Sequence, residues 1–397
     1  MEKALITTQK CRNSNLELFR IITMMLIVAH HYVVNSGLFE QNGPVWTNPF
    51  SSDSLFLLLL GAWGKIGINC FVLITGYFMC KSDITAKKFM KLFCEIMFYK
   101  IIIGVIFFVV GYRPFEWGAF LKLFIPILSV KQNFTGCFIL FFLFIPFLNI
   151  LIRNLDEKHH IYLLVLSVVT YVLFGTIHSV DMNYVSWFMV LYVVASFIRL
   201  YPKKWMDSIR FSSVLFLLSV VLTIISVCVG AWLSAKTGKK LAFYFVTDSN
   251  TFLALLVGVS SFLFFKNLKM NNNAFINAVA STTFGVLLIH ANSATMRQWL
   301  WHDMLDNVGH YGMPLYVLGC VLGVFTLCSF IDYLRIRLIE LPLFKYWDTR
   351  VEERLSVRLK KLGNQTQKSP YDPEFVEKMK SSAKSKGEAI KTEELWK

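Results

Sequence analysis

Apolar residues run through this chain in long, barely interrupted blocks. A membrane-crossing helix needs about 20 mostly apolar residues. Ten stretches approach that length, at roughly 16–37, 54–79, 92–111, 134–152, 161–178, 184–201, 211–233, 249–266, 275–293 and 313–334. The stretch 117–130 is shorter and amphipathic, which predicts a piece lying at the membrane interface. From about 335 the pattern changes. Residues 335–360 read as a basic helix on or leaving the membrane, and 361–397 as a mostly disordered tail. The predicted organisation is a short cytoplasmic segment at 1–15, a ten-helix membrane domain at 16–345 and a charged, largely disordered cytoplasmic tail at 346–397.

Composition agrees with the pattern. Of 397 residues, 55% are apolar and only 16% charged. A soluble surface draws on about a quarter charged residues, so this chain cannot cover one. The fold class is therefore all-α, a polytopic membrane bundle. A cytosolic enzyme, a secreted protein and a nucleic-acid-binding module are excluded. The net charge of +15 reflects membrane orientation instead. With the N-terminus inside, the inner segments before the tail hold fifteen Lys and Arg, including Lys81, Lys87, Lys88 and Lys91, against seven outside. The bias predicts both termini in the cytoplasm. The first apolar run carries Glu17, Arg20, His30 and His31 and is followed at once by further spans, so it reads as a retained helix rather than a cleaved signal. No internal repeat supports an inverted-repeat transporter. The eight cysteines form no CxxC pair, which argues against a disulfide framework or a zinc site. They read as small packed hydrophobes, and no metal is expected.

Ionisable groups inside a bilayer are costly and mark function by default. Arg20 and His31 are eleven residues apart, about 1,100° of helix, so they share a face about 16 Å apart along the axis. Glu17 lies one turn before Arg20 on that face, and His30 lies about 80° off it. Arg20 can hold a phosphate or carboxylate, and Glu17 can orient it. A neutral His31 can act as a general base or as an acyl-carrying nucleophile. The competing bland reading makes His31 an interhelical hydrogen-bond donor and Arg20 a snorkelling side chain. His30 reads as packing. Lys65, Glu95, Lys100 and Asp332 read as interhelical pairs, with Glu95 and Arg20 one option. Lys87 and Lys88 could clamp a phosphorylated ligand or serve topology alone. His290 ends the ninth span at the depth of His31 and is a possible second histidine of the site. His302 and His310, in an outer loop with Trp299 and Trp301, read as part of an aromatic belt. His159 and His160 fall in an inner loop and His178 at an outer end.

The first span, Leu16-Glu17-Leu18-Phe19-Arg20 with His31 eleven residues on, resembles the Arg-x10-His signature of the bacterial integral-membrane acyltransferase-3 family. Gly67-Ile68-Asn69-Cys70-Phe71-Val72-Leu73-Ile74-Thr75-Gly76 resembles that family's second-span pattern, with Thr75 at the usual Ser. Ile145-Pro146-Phe147-Leu148-Asn149 and Thr283-Phe284-Gly285-Val286-Leu287-Leu288-Ile289-His290 are similar to two later motifs. The resemblance covers about 1–345. It implies an O-acyltransferase in the bacterial cytoplasmic membrane. Acetyl-CoA or another acyl-CoA would be the donor, and a hydroxyl of a surface, exported or lipid-linked polysaccharide the acceptor. By matching position it implies a catalytic site of His31, Arg20 and Glu17, with Arg20 as the donor-side partner and Glu17 where many members have Asp. Lys87 and Lys88 would bind the CoA phosphates, in place of the arginines other members carry. The alternative is a non-enzymatic transporter or flippase of a lipid-linked saccharide, which would not need acyl-CoA.

Overall fold

The computed structural model describes residues 13–126, 133–177 and 183–349, together with 374, 377, 378 and 381. Among these residues all regular structure is helical. Seven helices are long and apolar enough to cross a membrane: Ser14–Val34, Ser52–Met79, Ala86–Val109, Phe134–Asn154, Glu157–Ile177, Ile209–Thr237 and Pro314–Thr349. Ala274–His290 makes an eighth candidate, bent by 93° against Ala294–Met304. Tyr184–Leu200 and Phe252–Asn267 are apolar but have only 17 and 16 residues. At 1.5 Å per residue each spans about 25 Å, a little under the hydrocarbon thickness. Each of the ten predicted stretches thus falls on a helix, but two are short and two are broken.

The helices used below are α1 (Ser14–Val34), α2 (Ser52–Gly61), α3 (Gly64–Met79), α4 (Ala86–Val109), α5 (Phe134–Asn154), α6 (Glu157–Val168), α7 (Tyr184–Leu200), α8 (Ile209–Thr237), α9 (Phe252–Asn267), α10 (Ala274–Ser281), α11 (Thr283–His290) and α12 (Pro314–Arg335). The chain forms two compact units, residues 1–335 and 336–397. In the second, residues 336–349 are helical, opening with a π-turn at Ile336–Glu340. The rest of the expected basic helix and nearly all of the expected tail lie outside the described residues, as does His178.

In the first unit α3 is central, packing on α1, α7 and α9. Its glycines explain the close approach to α1. A Cβ on Gly64 would lie 2.1 Å from the His30 ring, and one on Gly67 would lie 2.6 Å from Ile27. Small residues at a membrane helix crossing let backbones touch, which is the main source of packing energy where no water is expelled. A break between α2 and α3, not expected from the sequence, leaves the Gly61 carbonyl without a helical partner. His30 Nδ1 fills that role at 2.5 Å. α7 is buried along nearly its whole length, while α8 hides only a narrow face, mostly small residues from Ser212 to Ser234. On that face Ser219 and Ser260 of α9 join hydroxyls at 2.8 Å.

We call the end of the bundle that holds Ser14 the near face. There Ser14 Oγ donates to Asn277 at 3.0 Å, and Asn149 Nδ2 donates to the carbonyls of Met79 and Ser82, each at 3.2 Å. At the far face the hydroxyls of Ser51 and Ser54 each reach Tyr311 at 2.8 Å. The expected interfacial piece is a short helix at Trp117–Leu121 followed by a 3-10 turn at Lys122–Phe124; 127–132 lie outside the described residues.

Candidate active site

α1 and α11 cross so that two histidines meet. His31 Nδ1 lies 2.9 Å from His290 Nε2, with ring centroids 5.1 Å apart. The other nitrogen of His290, Nδ1, is 2.6 Å from the Val286 carbonyl. A carbonyl only accepts, so Nδ1 of His290 carries the hydrogen. A neutral His290 then presents a lone pair at Nε2, and His31 must donate to it from Nδ1. His31 is left with an unprotonated Nε2. Among the described residues no hydrogen bond engages that nitrogen. His290 is fully buried, whereas His31 keeps partial exposure. The arrangement leaves His31 able to accept a proton, oriented by a second group, His290, which is itself oriented by a carbonyl.

What holds His290 in place is legible in its surroundings. Trp301 packs edge-on at 6.2 Å and is fully buried, with Tyr32 of α1 against its other side at 5.9 Å. This corrects the expectation that Trp301 joins an interfacial belt. The 93° bend after α11 folds residues 294–304 back over the site, and the indole becomes part of its wall. Five residues before His290, Gly285 faces Asp332 of α12; a Cβ there would sit 2.1 Å from the Asp332 Cγ. Asp332 is fixed in turn. It accepts from Tyr99 Oη at 2.7 Å and from Arg335 Nε at 2.6 Å, and Arg335 Nη2 also donates to Glu95 at 3.0 Å. Glu95 therefore pairs with Arg335 on α12. Four buried polar groups from α4 and α12 thus set the depth of α11.

The other expected residues divide. Glu17 and Arg20 meet at 3.5 Å, about a turn apart on α1. Lys88 Nζ donates to Ser82 Oγ at 2.6 Å and to the Asp83 carbonyl at 2.7 Å, so it braces the turn before α4. Lys87 sits beside it on the exposed start of that helix. Lys65 donates to Tyr184 Oη at 2.8 Å and lies 3.7 Å from Asp248. Lys100 donates to the Ile125 carbonyl at 3.2 Å. His159 accompanies Asp156 at the start of α6, and His160 is buried with its Nε2 3.0 Å from the Val193 carbonyl. His302 pairs with Asp303 at 2.9 Å, and His310 stacks on Tyr316.

Sequence reasoning missed Arg297. It stands in the bent segment, donates to the Ala291 carbonyl at 3.4 Å, and its charge acts on both His31 and His290. In sequence it is one more loop cation, and no spacing singles it out.

With that geometry in hand, comparison with known proteins is decisive on one point. The family model described as an acyltransferase domain, acyltransferase 3, matches residues 13–333. The chain belongs to the acyltransferase-3 family. That match takes in α1 to all but the end of α12, and therefore both histidines. A second family model, of a protein of unknown function, matches residues 352–397. Comparison with curated proteins and with solved structures found no match. This acyltransferase-3 protein is thus an all-helical, multi-pass membrane acyltransferase by family and by the apolar length of its helices.

Proposed function

We propose that this acyltransferase moves an acyl group, acetyl by default, from acyl-CoA to a hydroxyl of a surface or exported polysaccharide. We place it in the bacterial cytoplasmic membrane, with the near face and both termini in the cytoplasm. The observation that carries the chemistry is the His31–His290–Val286 chain. It gives His31 Nε2 a lone pair and gives the proton it takes up somewhere to be shared.

The steps balance without any other group. The acceptor hydroxyl gives its proton to His31 Nε2 as its oxygen attacks the thioester carbonyl. The imidazolium so formed shares its Nδ1 proton with His290 Nε2, whose own Nδ1–H is held by the Val286 carbonyl. When the C–S bond breaks, the proton on His31 passes to the leaving thiolate, giving free thiol and ester. Direct transfer and a first transfer to His31 Nε2 both use this lone pair. Arg297, whose charge reaches the pair, suits the oxygen that becomes negative during attack. Arg20, oriented by Glu17, and the Lys87–Lys88 pair supply positive charge toward the donor's phosphates.

The test uses membrane vesicles, labelled acetyl-CoA and the glycan fraction of the same cells. Label is expected with wild type and with His30→Ala, and is expected to be lost with His31→Ala. Equal transfer by all three removes His31 from the chemistry. No transfer by wild type in the presence of its acceptor favours a flippase.

A further inference from the structure

At the near face a cavity of about 310 Å³ opens between the turn after α3 and the end of α5, walled by Asp83, Ile84, Pro146, Asn149, Ile150 and Arg153. It adjoins none of the groups around His31. Pro146 lies inside α5 and has no N–H for the carbonyl one turn back. Asn149, also on α5, ties this helix to the turn after α3. Asn149 holds the Met79 and Ser82 carbonyls and accepts from Tyr192 Oη at 2.5 Å.

The charged lining of this cavity is Arg153 and Asp83, and further cations lie near the turn that closes it. Arg153 lines it, and the charges of Arg153, Lys81 and Arg199 all act at Cys80, where α3 ends. Arg199 lies 4.5 Å from the centroid of the Tyr77 ring and donates to its hydroxyl at 2.7 Å, yet its Nε–H is buried with no acceptor among the described residues. Lys88 hangs over the same turn through Ser82 and Asp83. Asp83 is the one acid in the lining. It meets Arg153 at 3.2 Å, but the two side chains are 84% and 46% exposed. An ion pair that exposed is weak, so a more highly charged anion displaces it readily. Ile84, Pro146 and Ile150 supply an apolar wall on the other side.

We propose that this cavity binds a phosphate ester, with Arg153 as its principal contact and Asp83 as the internal competitor that the ligand displaces. A planar guanidinium fork matches phosphate oxygens in pairs, and the apolar wall takes the organic part of the ester. Two sources share this chemistry: the nucleotide end of an acyl-CoA donor and the headgroup of an anionic phospholipid. The nucleotide source rests on the acyl-CoA reading above; the site itself does not.

The experiment uses the full-length protein in nanodiscs of neutral phosphatidylcholine, with adenosine 3′,5′-bisphosphate as the soluble probe. In parallel, nanodiscs containing phosphatidylglycerol are used to measure the lipid retained on the purified protein. Arg153→Ala is expected to weaken the bound ester about tenfold, the scale of one lost charge-assisted bidentate contact. Asp83→Asn is expected to tighten it, and Lys204→Ala, an exposed cation away from the cavity, to leave it unchanged. Tightening by Asp83→Asn cannot come from a damaged fold. These effects on the bisphosphate identify the nucleotide source, and the same effects on phosphatidylglycerol alone identify the lipid. If neither probe responds to Arg153→Ala or Asp83→Asn, the site is overturned. Acetyl transfer by the wild type, measured separately, shows whether the acyltransferase reading stands whatever becomes of this cavity.

Discussion

His31 Nδ1 donates to His290 Nε2 across 2.9 Å, although 259 residues separate the two in the chain. The direction of that bond is fixed from the far end, by the Val286 carbonyl that claims the hydrogen of His290 Nδ1. One backbone oxygen therefore decides which nitrogen of His31 keeps its lone pair.

In the proposed mechanism His290 acts through His31. Replacing His31 with Ala should cost about 10²–10⁴ in turnover, the usual worth of a positioned base. His290→Ala should cost part of that and should also change the shape of the rate–pH profile, because the proton on His31 loses its acceptor. A His290→Ala enzyme with a lower rate but an unchanged profile would make His290 packing only. Initial rates across a pH series in vesicles give the answer.

Gly285 should tolerate no side chain. Its Cβ would meet the Asp332 carboxylate at 2.1 Å, and Asp332 is anchored by Tyr99 and Arg335. Gly285→Ala is expected to lower the thermal midpoint in detergent and to reduce transfer by displacing α11. The double variant with Asp332→Ala should be less damaged than the two single losses summed, since residues in contact do not add. Simple additivity would show that the contact is not what constrains position 285.

Arg335→Ala leaves Glu95 and Asp332 buried beside an empty space. Removing one partner of a buried ion pair typically costs about 3–5 kcal/mol. Arg335→Lys should recover only part, because one ammonium cannot match the fork that reaches Glu95 and Asp332 together. Joint replacement of all three by apolar residues of similar size should be far milder than Arg335→Ala alone. Denaturation midpoints of the purified variants check this ordering.

Asp156 caps α6 by accepting from the His159 amide at 2.8 Å. That bond, with a contribution from the His159 side chain, holds its carboxyl below the usual range. A depressed folded value means the cap stabilises the helix start above the unfolded value and is lost as pH falls through the folded one. Amide exchange at 157–160 should therefore be faster in Asp156→Ala than in wild type at neutral pH. The difference should close on acidification. Asp156→Asn should keep most of the cap without the pH dependence.

The sequence by itself determined the membrane class, the approximate position of the long helices and the face that Glu17, Arg20 and His31 share on α1. Hydrophobic period and length are local properties, and Glu17, Arg20 and His31 lie within five turns of one helix, where angular spacing is arithmetic. His290 was visible as a histidine at the right depth, but depth does not say what it touches. Only the tertiary structure decided that it touches His31. It likewise decided that Trp301 walls the site and that Glu95 answers to Arg335. Each of these joins helices far apart in the chain, and no periodic pattern records which helices are neighbours. That choice is made by packing, through residues such as Gly64, Gly67 and Gly285 whose missing side chains admit a particular partner.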